Sequence, residues 1–251
     1  MKAIQVIGIE GVPIIQKGDD LAEILCRAAS EQGTPFRDGD ILVVTHVVVS
    51  RAEGEVVDLR KVEPSEFAVN FAREFDKDPA LVEVVLRESR RIVRMGQGKI
   101  ITETRHGFVC ANSGVDKSNV PGETCVALLP KDPDSSAKRI RRRIAELTGK
   151  DVAVIISDTH GRPFREGEVN VAIGVAGLNP IRDRRGEKDL FGYTLRVKRT
   201  AIADELASAA ELVIGQADEG IPAAIIRGYE YVKSDSGSAK QLVRPQEKSL
   251  F

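Results

Sequence analysis

Three polar segments of the chain combine residue types that hold phosphate groups and hard cations. Residues 112–119 read Asn-Ser-Gly-Val-Asp-Lys-Ser-Asn, in which a glycine permits close backbone approach and Asp116 supplies a carboxylate. Residues 158–165 begin with Asp158 and include a threonine and two arginines. Residues 215–220 form a glycine-bounded loop whose backbone N–H groups could surround a phosphate chain. Together these segments supply the parts of a Mg²⁺–nucleotide site.

Each segment taken alone is as readily a turn or a helix cap, because Asn, Asp and Ser favour both. Established signatures are absent from the sequence: it has no P-loop, no G-x-G-x-x-G and no H-E-x-x-H. The segment 96–99 ends like a P-loop but lacks its spacing, so a plain turn is predicted. His46, His106 and His160 are too far apart in sequence to give a metal-binding spacing.

The charge balance argues against a nucleic-acid-binding protein. The 251 residues include 37 Lys and Arg against 38 Asp and Glu, and aromatic residues are only 4%. The basic run 138–143 is predicted to be the solvated face of a helix, with Ile140, Ile144 and Leu147 as the buried stripe. An RNA-binding patch is the alternative interpretation of this run.

The sequence also predicts a cytoplasmic protein that does not enter a membrane. Its longest apolar runs, such as 152–156 and 221–226, are too short to cross a bilayer, and no signal-peptide pattern is present. Cys26, Cys110 and Cys125 are odd in number and never spaced as C-x-x-C, which fits a reducing compartment and buried side chains.

Hydrophobic periodicity predicts a mixture of strands and helices. Strands are expected over 2–9, 41–49, 151–157 and 221–226, with short strands and glycine turns over 91–129. Helices are expected after the cap Asp20, in two pieces over 64–90, and over 132–149 and 202–214. A polar loop is expected over 233–239.

Because these elements do not alternate strictly, an α+β fold with mixed sheets and packed helices is predicted, not a Rossmann fold or a barrel. No linker divides the chain, so residues 1–251 are predicted to form one unit. An insertion between about residues 60 and 200 would give two subdomains.

Long motifs over nearly the whole chain resemble the coenzyme F420:L-glutamate ligases, the GTP-dependent γ-glutamyl ligases of F420 biosynthesis. The motifs that carry the resemblance, in chain order, are Gly11-Val12-Pro13, Ser50-Arg51-Ala52-Glu53-Gly54, the segment 111–119, the segment 128–134, Asp158-Thr159-His160-Gly161-Arg162-Pro163, and Ala203-Asp204-Glu205-Leu206-Ala207.

The resemblance implies an amide-forming homodimer with the α+β fold of that family. Such an enzyme joins L-glutamate to F420-0, and then to the γ-carboxylate of F420-1, through an acyl phosphate made with GTP. It uses Mg²⁺ or Mn²⁺ at two sites and K⁺. This chemistry needs charge neutralisation and alignment, so no Cys or Ser nucleophile is expected.

The resemblance also assigns site residues. Asp116 and Asp158 would hold one metal, and Thr159 and Gln216 would contact a second. Residues expected at the nucleotide are Gly11, Val12, Pro13, Ile14, His46, Arg51, Asn119, Val213, Ile214, Gly215, Gln216, Ala217, Asp218, Glu219 and Gly220. From their chemistry alone, Arg162 and Arg165 are predicted to grip phosphate or substrate carboxylates as catalytic residues.

The sequence departs from the family pattern at His46, Val47 and Arg51, where Thr-Ser-Lys-x-x-Ser-Lys is common, and at Asn170, where an acid is usual. These departures leave open a related ligase that acts on a different carboxylate. A metal-dependent hydrolase is a further alternative, because Asp158 and Thr159 could bind a metal and water.

Overall fold

The computed structural model describes residues 3–248. The α-helices of this part of the chain are α1 (Leu21–Glu31), α2 (His46–Glu53), α3 (Glu66–Phe75), α4 (Pro79–Glu88), α5 (Pro133–Thr148) and α6 (Ile202–Ile214). Its strands are β1 (Gln5–Gly8), β2 (Ile41–Thr45), β3 (Val56–Asp58), β4 (Ser89–Gly96), β5 (Lys99–Thr104), β6 (Val109–Ala111), β7 (Cys125–Ala127), β8 (Ala153–Arg162), β9 (Arg165–Leu178), β10 (Ile181–Asp183), β11 (Arg199–Ala201), β12 (Ala223–Arg227) and β13 (Lys233–Ser234).

A six-stranded sheet organises the main body, in the order β1-β12-β2-β8-β9-β13. Only β2 and β8 pair in parallel, from Ile41 opposite Ala153 to Thr45 opposite Ser157, and the other neighbours are antiparallel. The predicted α+β class is therefore confirmed.

The three central strands form the main core. Residues 41–44, 153–156 and 223–226 are fully buried, as continuous apolar runs of covered strands should be. Helix α5 packs on β8 and β9, with α1 against α5, while α6 packs on β1, β9 and β12.

A buried ion pair joins β12 to the residue before β2. Arg227 donates from Nε to Asp40 Oδ1 at 2.9 Å and from Nη2 to Asp40 Oδ2 at 2.7 Å. The same Nη2 reaches the carbonyl of Pro35 at 2.9 Å. The side chains of Arg227 and Asp40 are only 13% and 2% exposed, so the pair fixes the register of the two strands.

Residues 56–127 build a smaller unit with its own apolar clusters. It contains the β3–β7 pair, the β4–β5–β6 sheet, α3 and α4. One cluster includes Phe71 and Val85, and a second joins Leu59 to Val126. Strands β8 and β9 follow this unit and belong to the main sheet, while the division into two subdomains stays a prediction.

Strands β10 and β11 are the base of a hairpin arm, residues 181–201, that extends from the start of α6. Its outer part exposes Leu190 (99%), Phe191 (95%) and Val197 (86%). The arm carries seven Lys and Arg against three Asp and Glu.

Helix boundaries agree well with the sequence prediction. Asp20, Asp78 and Asp132 each accept a backbone N–H in the first turn of α1, α4 and α5. Gly149 ends α5 in the left-handed region, at a φ of 70°. The turn predicted over 96–99 is confirmed as the β4–β5 hairpin.

The predicted strand 41–49 is wrong in its second half. The strand ends at Thr45 and α2 begins at His46, because the ladders to β8 and β12 stop there. Val47, Val48 and Val49 are buried on α2. A short apolar run does not distinguish a buried strand from a buried helix.

Three other predictions need correction. The predicted strand 151–157 is too short at its end, because β8 continues to Arg162 and pairs with β9 over this extension. The polar loop predicted over 233–239 is wrong at its start, where Lys233 and Ser234 form β13 and pair with β9, and Asp134 accepts the N–H of Ala239 at 3.0 Å. Leu147 is 40% exposed in the last turn of α5, although Ile140 and Ile144 are buried as predicted. The predicted first strand began at residue 2, which lies outside the described residues.

The basic run 138–143 is largely neutralised by neighbouring acids. Arg139 pairs with Glu53, Arg141 with Asp151 and Asp235, and Arg143 with Asp20 and Glu146. The structure therefore favours the solvated helix face over an RNA-binding patch. Cys26 and Cys110 are buried, Cys125 is partly buried, and all three are free thiols.

Candidate functional site

One cavity of about 230 Å³ lies where β2 and β8 end and β12 begins. Most of the residues predicted to bind nucleotide or metal line it. Its wall consists of Val12, Pro13, Ile14, Ile15, Thr45, His46, Val47, Val48, Arg51, Asp116, Ser118, Asn119, Ser157, Asp158, Thr159, Asn170, Ile214, Gly215, Gln216, Ala217, Glu219, Gly220, Ile221 and Pro222. Segments far apart in sequence therefore meet here, as the resemblance implies.

Helix α2 begins in the wall of this cavity. Thr45 is its N-cap residue, but the Thr45 side chain accepts no hydrogen bond from the described amides of the first turn. The N–H of Thr45 itself donates to the carbonyl of Pro222 at 3.0 Å, which fixes the start of the helix against β12. An uncapped helix start attracts negative charge, because its free N–H groups and the helix dipole act together.

Asp158 is a buried carboxylate held between two imidazoles. His46 Nε2 lies 3.2 Å from Oδ1 and His160 Nε2 lies 3.0 Å from Oδ2. The N–H of Thr159 also donates to Oδ1 at 2.8 Å. Burial raises the pKa of Asp158, but the two imidazoles outweigh it and hold that pKa below its ordinary range. Burial likewise lowers the pKa of His46, and the carboxylates of Asp158 and Asp116 reverse this, so that pKa is raised.

Beside Asp158 lies a group of three side-chain oxygens. Thr159 Oγ1 lies 2.8 Å from Asn170 Oδ1 and 3.2 Å from Gln216 Oε1. Gln216 Nε2 also donates to Asn170 Oδ1 at 3.3 Å. These residues come from β8, β9 and the loop after α6, so the group forms only when those elements pack together.

The donor set of the cavity suits a hard cation such as Mg²⁺. Asp116, Asp158, Thr159 and Gln216 all present oxygen atoms to the same cavity. Asp116 Oδ1 already accepts the N–H and hydroxyl of Ser118, at 2.7 and 2.8 Å. Within residues 3–248 no three His, Cys, Asp or Glu side chains are grouped to hold a metal. A cation here would therefore draw further oxygens from ligand and water.

Arg51 is a positive charge in the cavity wall with one unused nitrogen. Nε donates to the carbonyl of Ile15 at 3.0 Å, and Nη1 donates to the carbonyl of Asn119 at 3.3 Å. Nη2 is buried without a hydrogen-bond partner among the described residues. Burial lowers the pKa of Arg51 and Asp19 partly restores it. The ordinary value is so high that the group stays cationic at neutral pH.

Some predicted residues lie outside the cavity wall. Gly11, Val213 and Asp218 flank it without lining it, and Arg162 and Arg165 lie at the end of the β8–β9 hairpin. Arg162 Nη2 donates to carbonyls of its own hairpin, at 2.8 and 3.4 Å. The catalytic role of the two arginines stays a prediction, with no contact in the cavity to support it.

Sequence reasoning gave no role to His160, although it named the motif that contains it. It noted Asn170 only as a departure from the family. Asn170 belongs to the site because β8 pairs with β9 so that Thr159 lies opposite Asn170. His160 does not line the cavity and joins the cluster through its contact with Asp158. Asn170 could have been identified if β9 had been recognised as a strand, because strand pairing and register decide which side chains of β8 and β9 lie opposite each other.

An α+β fold with a polar cavity at its central strand ends is typical of proteins that bind a small charged ligand. The family model described as F420-0:Gamma-glutamyl ligase matches residues 10–228. The chain belongs to this family.

Relatives support the same assignment over their whole lengths. The coenzyme F420:L-glutamate ligase of Methanothermobacter thermautotrophicus is 53% identical over 250 residues, covering 99% of this chain and 98% of the relative. The ligase of the same name from Methanocaldococcus jannaschii is 49% identical over 252 residues, covering 100% of this chain and 97% of the relative. That from Methanopyrus kandleri is 53% identical over 257 residues, covering 100% of each.

Proposed function

We propose that this protein is a GTP-dependent ligase that adds L-glutamate to coenzyme F420-0 and then a γ-linked glutamate to F420-1. The names of the family and of its relatives support the ligation of L-glutamate to F420. The observation that supports the nucleotide part is the cavity itself. It joins an uncapped helix start, a cationic Arg51 and a set of carboxylate and amide oxygens.

The cavity contains the kinds of chemical groups that phosphoryl transfer needs. The first-turn amides of α2 and Arg51 would hold phosphate oxygens. Asp116 and Asp158 would hold one Mg²⁺ or Mn²⁺, and Thr159 and Gln216 a second. Bound there, the metal ions would supply charge neutralisation for the phosphates. The imidazoles of the cluster keep Asp158 ionised and oriented toward this role.

The proposed reaction has two balanced steps. A carboxylate oxygen of F420-0 attacks the γ-phosphorus of GTP, which forms an acyl phosphate and releases GDP. The amine of glutamate then attacks the acyl carbon, which forms the amide and releases inorganic phosphate and a proton. Alignment within the cavity carries most of the catalysis, because such transfers need little covalent help from a protein.

We further propose that the protein acts as a homodimer in the cytoplasm and that K⁺ assists it. The arm supports an assembly, because large apolar side chains such as Leu190 and Phe191 are exposed on an ordered hairpin. Within residues 3–248 no helix is long and apolar enough to span a bilayer.

The test is an assay of product mass. The purified protein is incubated with GTP, Mg²⁺, glutamate and F420-0, and mass spectrometry follows the coenzyme while chromatography follows the nucleotide. We expect a gain of one glutamyl unit together with GDP. GDP and phosphate without a glutamyl product would indicate the hydrolase, and a product formed only from another carboxylate would indicate a different ligase.

Thermal melts give a second readout of the nucleotide. GTP with Mg²⁺ should raise the melting temperature more than ATP with Mg²⁺, since a ligand that binds only the folded state stabilises it. An ATP shift as large as the GTP shift would contradict the proposed preference.

A further inference from the structure

Strand β9 carries one extra residue beside the cavity. Ile156 of β8 lies opposite Gly174 of β9, but the next residue of β8, Ser157, lies opposite Ala172. Ile173 is therefore the extra residue of a β-bulge. Bulges of this kind re-aim the side chains beside them, so the bulge bears directly on what faces the cavity.

The bulge decides which side chain of β9 lies opposite Thr159. Regular pairing from Ile156 onward would place Val171 there, whereas the shifted ladder places Asn170 there. Asn170 Oδ1 lies 2.8 Å from Thr159 Oγ1, and Gln216 Nε2 donates to the same oxygen at 3.3 Å. A valine side chain could accept neither bond. The bulge therefore creates the contact that links the Thr159 and Gln216 side chains.

Helix side chains take the place of a neighbouring strand along the outer edge of β9 at this point. Among the described strands β13 is the outer neighbour of β9, and it pairs only with residues 177–178. Nearer the bulge, Asp204 Oδ1 accepts the N–H of Ala172 at 3.0 Å. Ser208 Oγ donates to the carbonyl of Asn170 at 2.8 Å. Because covered backbone groups need partners, these two bonds fix the main chain on the cavity side of the bulge.

The spacing of the two helix residues matches the spacing of the strand. Asp204 and Ser208 are one turn apart on α6, so their side chains lie on the same side of the helix. Four helix residues rise about 6 Å, and two residues of an antiparallel strand rise about 7 Å. One turn of α6 therefore reaches two successive outward backbone groups of β9. The chain after α6 leads to Gln216, which contacts the Asn170 side chain.

We propose that Asp204 and Ser208 are positioning residues that hold the β9 bulge and thereby set the place of the Asn170 amide in the cavity. Neither residue lines the cavity, so an effect on a bound ligand passes through the main chain of β9. Asn170 in turn orients the oxygens of Thr159 and Gln216. The inference rests on the proposed function, in which those two oxygens contact a metal ion.

Pairs of variants distinguish the two hydrogen bonds from a general effect on the fold. Asp204→Ala removes the acceptor for the Ala172 N–H, whereas Asp204→Asn keeps a carbonyl oxygen on a side chain of the same length. A neutral acceptor suits this position, because burial raises the pKa of Asp204 and the Ala172 amide and His160 only partly offset the rise. Ser208→Ala removes the donor to Asn170, whereas Ser208→Thr keeps a hydroxyl.

The experiment follows the Asn170 side-chain amide by ¹⁵N NMR in the full ligand-free chain, and measures GTP affinity in the presence of Mg²⁺ by calorimetry. The signal pair that disappears in Asn170→Asp identifies the amide. Asp204→Ala should shift these signals and lower the affinity by about fivefold, as expected for the loss of one hydrogen bond. Asp204→Asn should keep both near their wild-type values. Ser208→Ala should change both in the same direction as Asp204→Ala, and Ser208→Thr should restore them.

Glu205→Ala is the matched control. Glu205 is the next residue in the first turn of α6, is also acidic and is exposed. Its substitution should leave the Asn170 signals and the affinity unchanged. Wild-type Asn170 signals in Asp204→Ala and Ser208→Ala would overturn the proposal, as would shifted signals with unchanged affinity or an Asp204→Asn variant as impaired as Asp204→Ala. If Asp204→Ala does not fold, the two Ser208 variants decide by the same criteria.

The two readouts separate the inference from the proposed function. A wild-type protein that binds no GTP with Mg²⁺ would remove the nucleotide part of the function, while the NMR comparison would still decide whether Asp204 and Ser208 position Asn170. GTP binding and glutamyl product formation in variants whose Asn170 amide never moves would do the reverse.

Discussion

Removing one partner of the buried Asp40–Arg227 pair should destabilise the protein strongly. Arg227→Met leaves a carboxylate that is 2% exposed without its bidentate partner, and it also removes the bond to Pro35. Breaking a buried pair in this way costs about 3–5 kcal/mol. For a chain of this size each kcal/mol lowers the melting temperature by about 2–4 °C, so a fall of about 6–20 °C is expected.

The double variant Asp40→Leu with Arg227→Met tests the cause of this loss. It removes both charges and should recover most of the stability, since a well-packed apolar pair can replace a buried ion pair at little cost. Urea denaturation of both single variants and the double variant gives the coupling energy directly.

An exposed pair provides the control. Arg142 and Glu146 are 3.8 Å apart with side chains 73% and 52% exposed. The variant Arg142→Met should cost no more than about 0.5 kcal/mol. A loss of less than about 1 kcal/mol for Arg227→Met, or a double variant no better than the singles, would refute the reasoning from burial and pairing.

Three other outcomes are expected. Asp116→Asn and Asp158→Asn should each raise the Mg²⁺ concentration needed for turnover. The turnover rate of the double variant should fall by less than the product of the two single reductions. Steady-state rates across a Mg²⁺ titration test this, and fully multiplicative reductions would place the two carboxylates at separate sites. Hydrogen bonds from Ser65 and then Arg87 lower the pKa of Glu83 to about 2, so its stabilisation is present above the unfolded pKa of about 4.3 and is lost as pH falls through the folded pKa. Melts of Glu83→Gln should therefore lie below the wild type at pH 7 and converge with it toward pH 2, and a constant gap would contradict this. Phe191→Glu should reduce the mass seen by sedimentation from dimer to monomer, and an unchanged dimer would exclude the arm as the interface.

The sequence predicted those elements whose ends carry local chemical signals. Helix α5 was placed within one residue at each end because Asp132 caps it and Gly149 terminates it. Helix α6 was placed correctly from its apolar spacing alone, although no side chain caps its start. Local propensity and tertiary packing agree in these segments, so a single sequence is enough.

The errors arose where long-range pairing decides the outcome. The run 41–49 is apolar throughout, and only the ends of the ladders to β8 and β12 determine that the strand stops at Thr45. The predicted strand ended at residue 157, yet β9 pairs with β8 as far as Arg162, across a register shift at Ser157. A single sequence contains no information about these partners.

The dependence on strand pairing also explains which residues of the cavity the sequence could identify. Asp116, Asp158 and Gln216 were named from motifs, and the fold does bring them to one wall. Their neighbours His160 and Asn170 were not assigned roles because they join the site through strand register and a side-chain hydrogen bond, which no motif encodes.

The order of strands in the main sheet has a consequence for how the chain reaches its native state. β12 lies between β1 and β2, although it follows them by about two hundred positions in the sequence. During synthesis both early strands must wait for residues 223–227 before either gains this neighbour. Contacts of such long range form slowly and leave strand edges unpaired in the meantime. The nascent chain therefore depends on late completion of its central sheet. A product truncated before position 223 would have unpaired edges on β1 and β2 and no strand to lie between them.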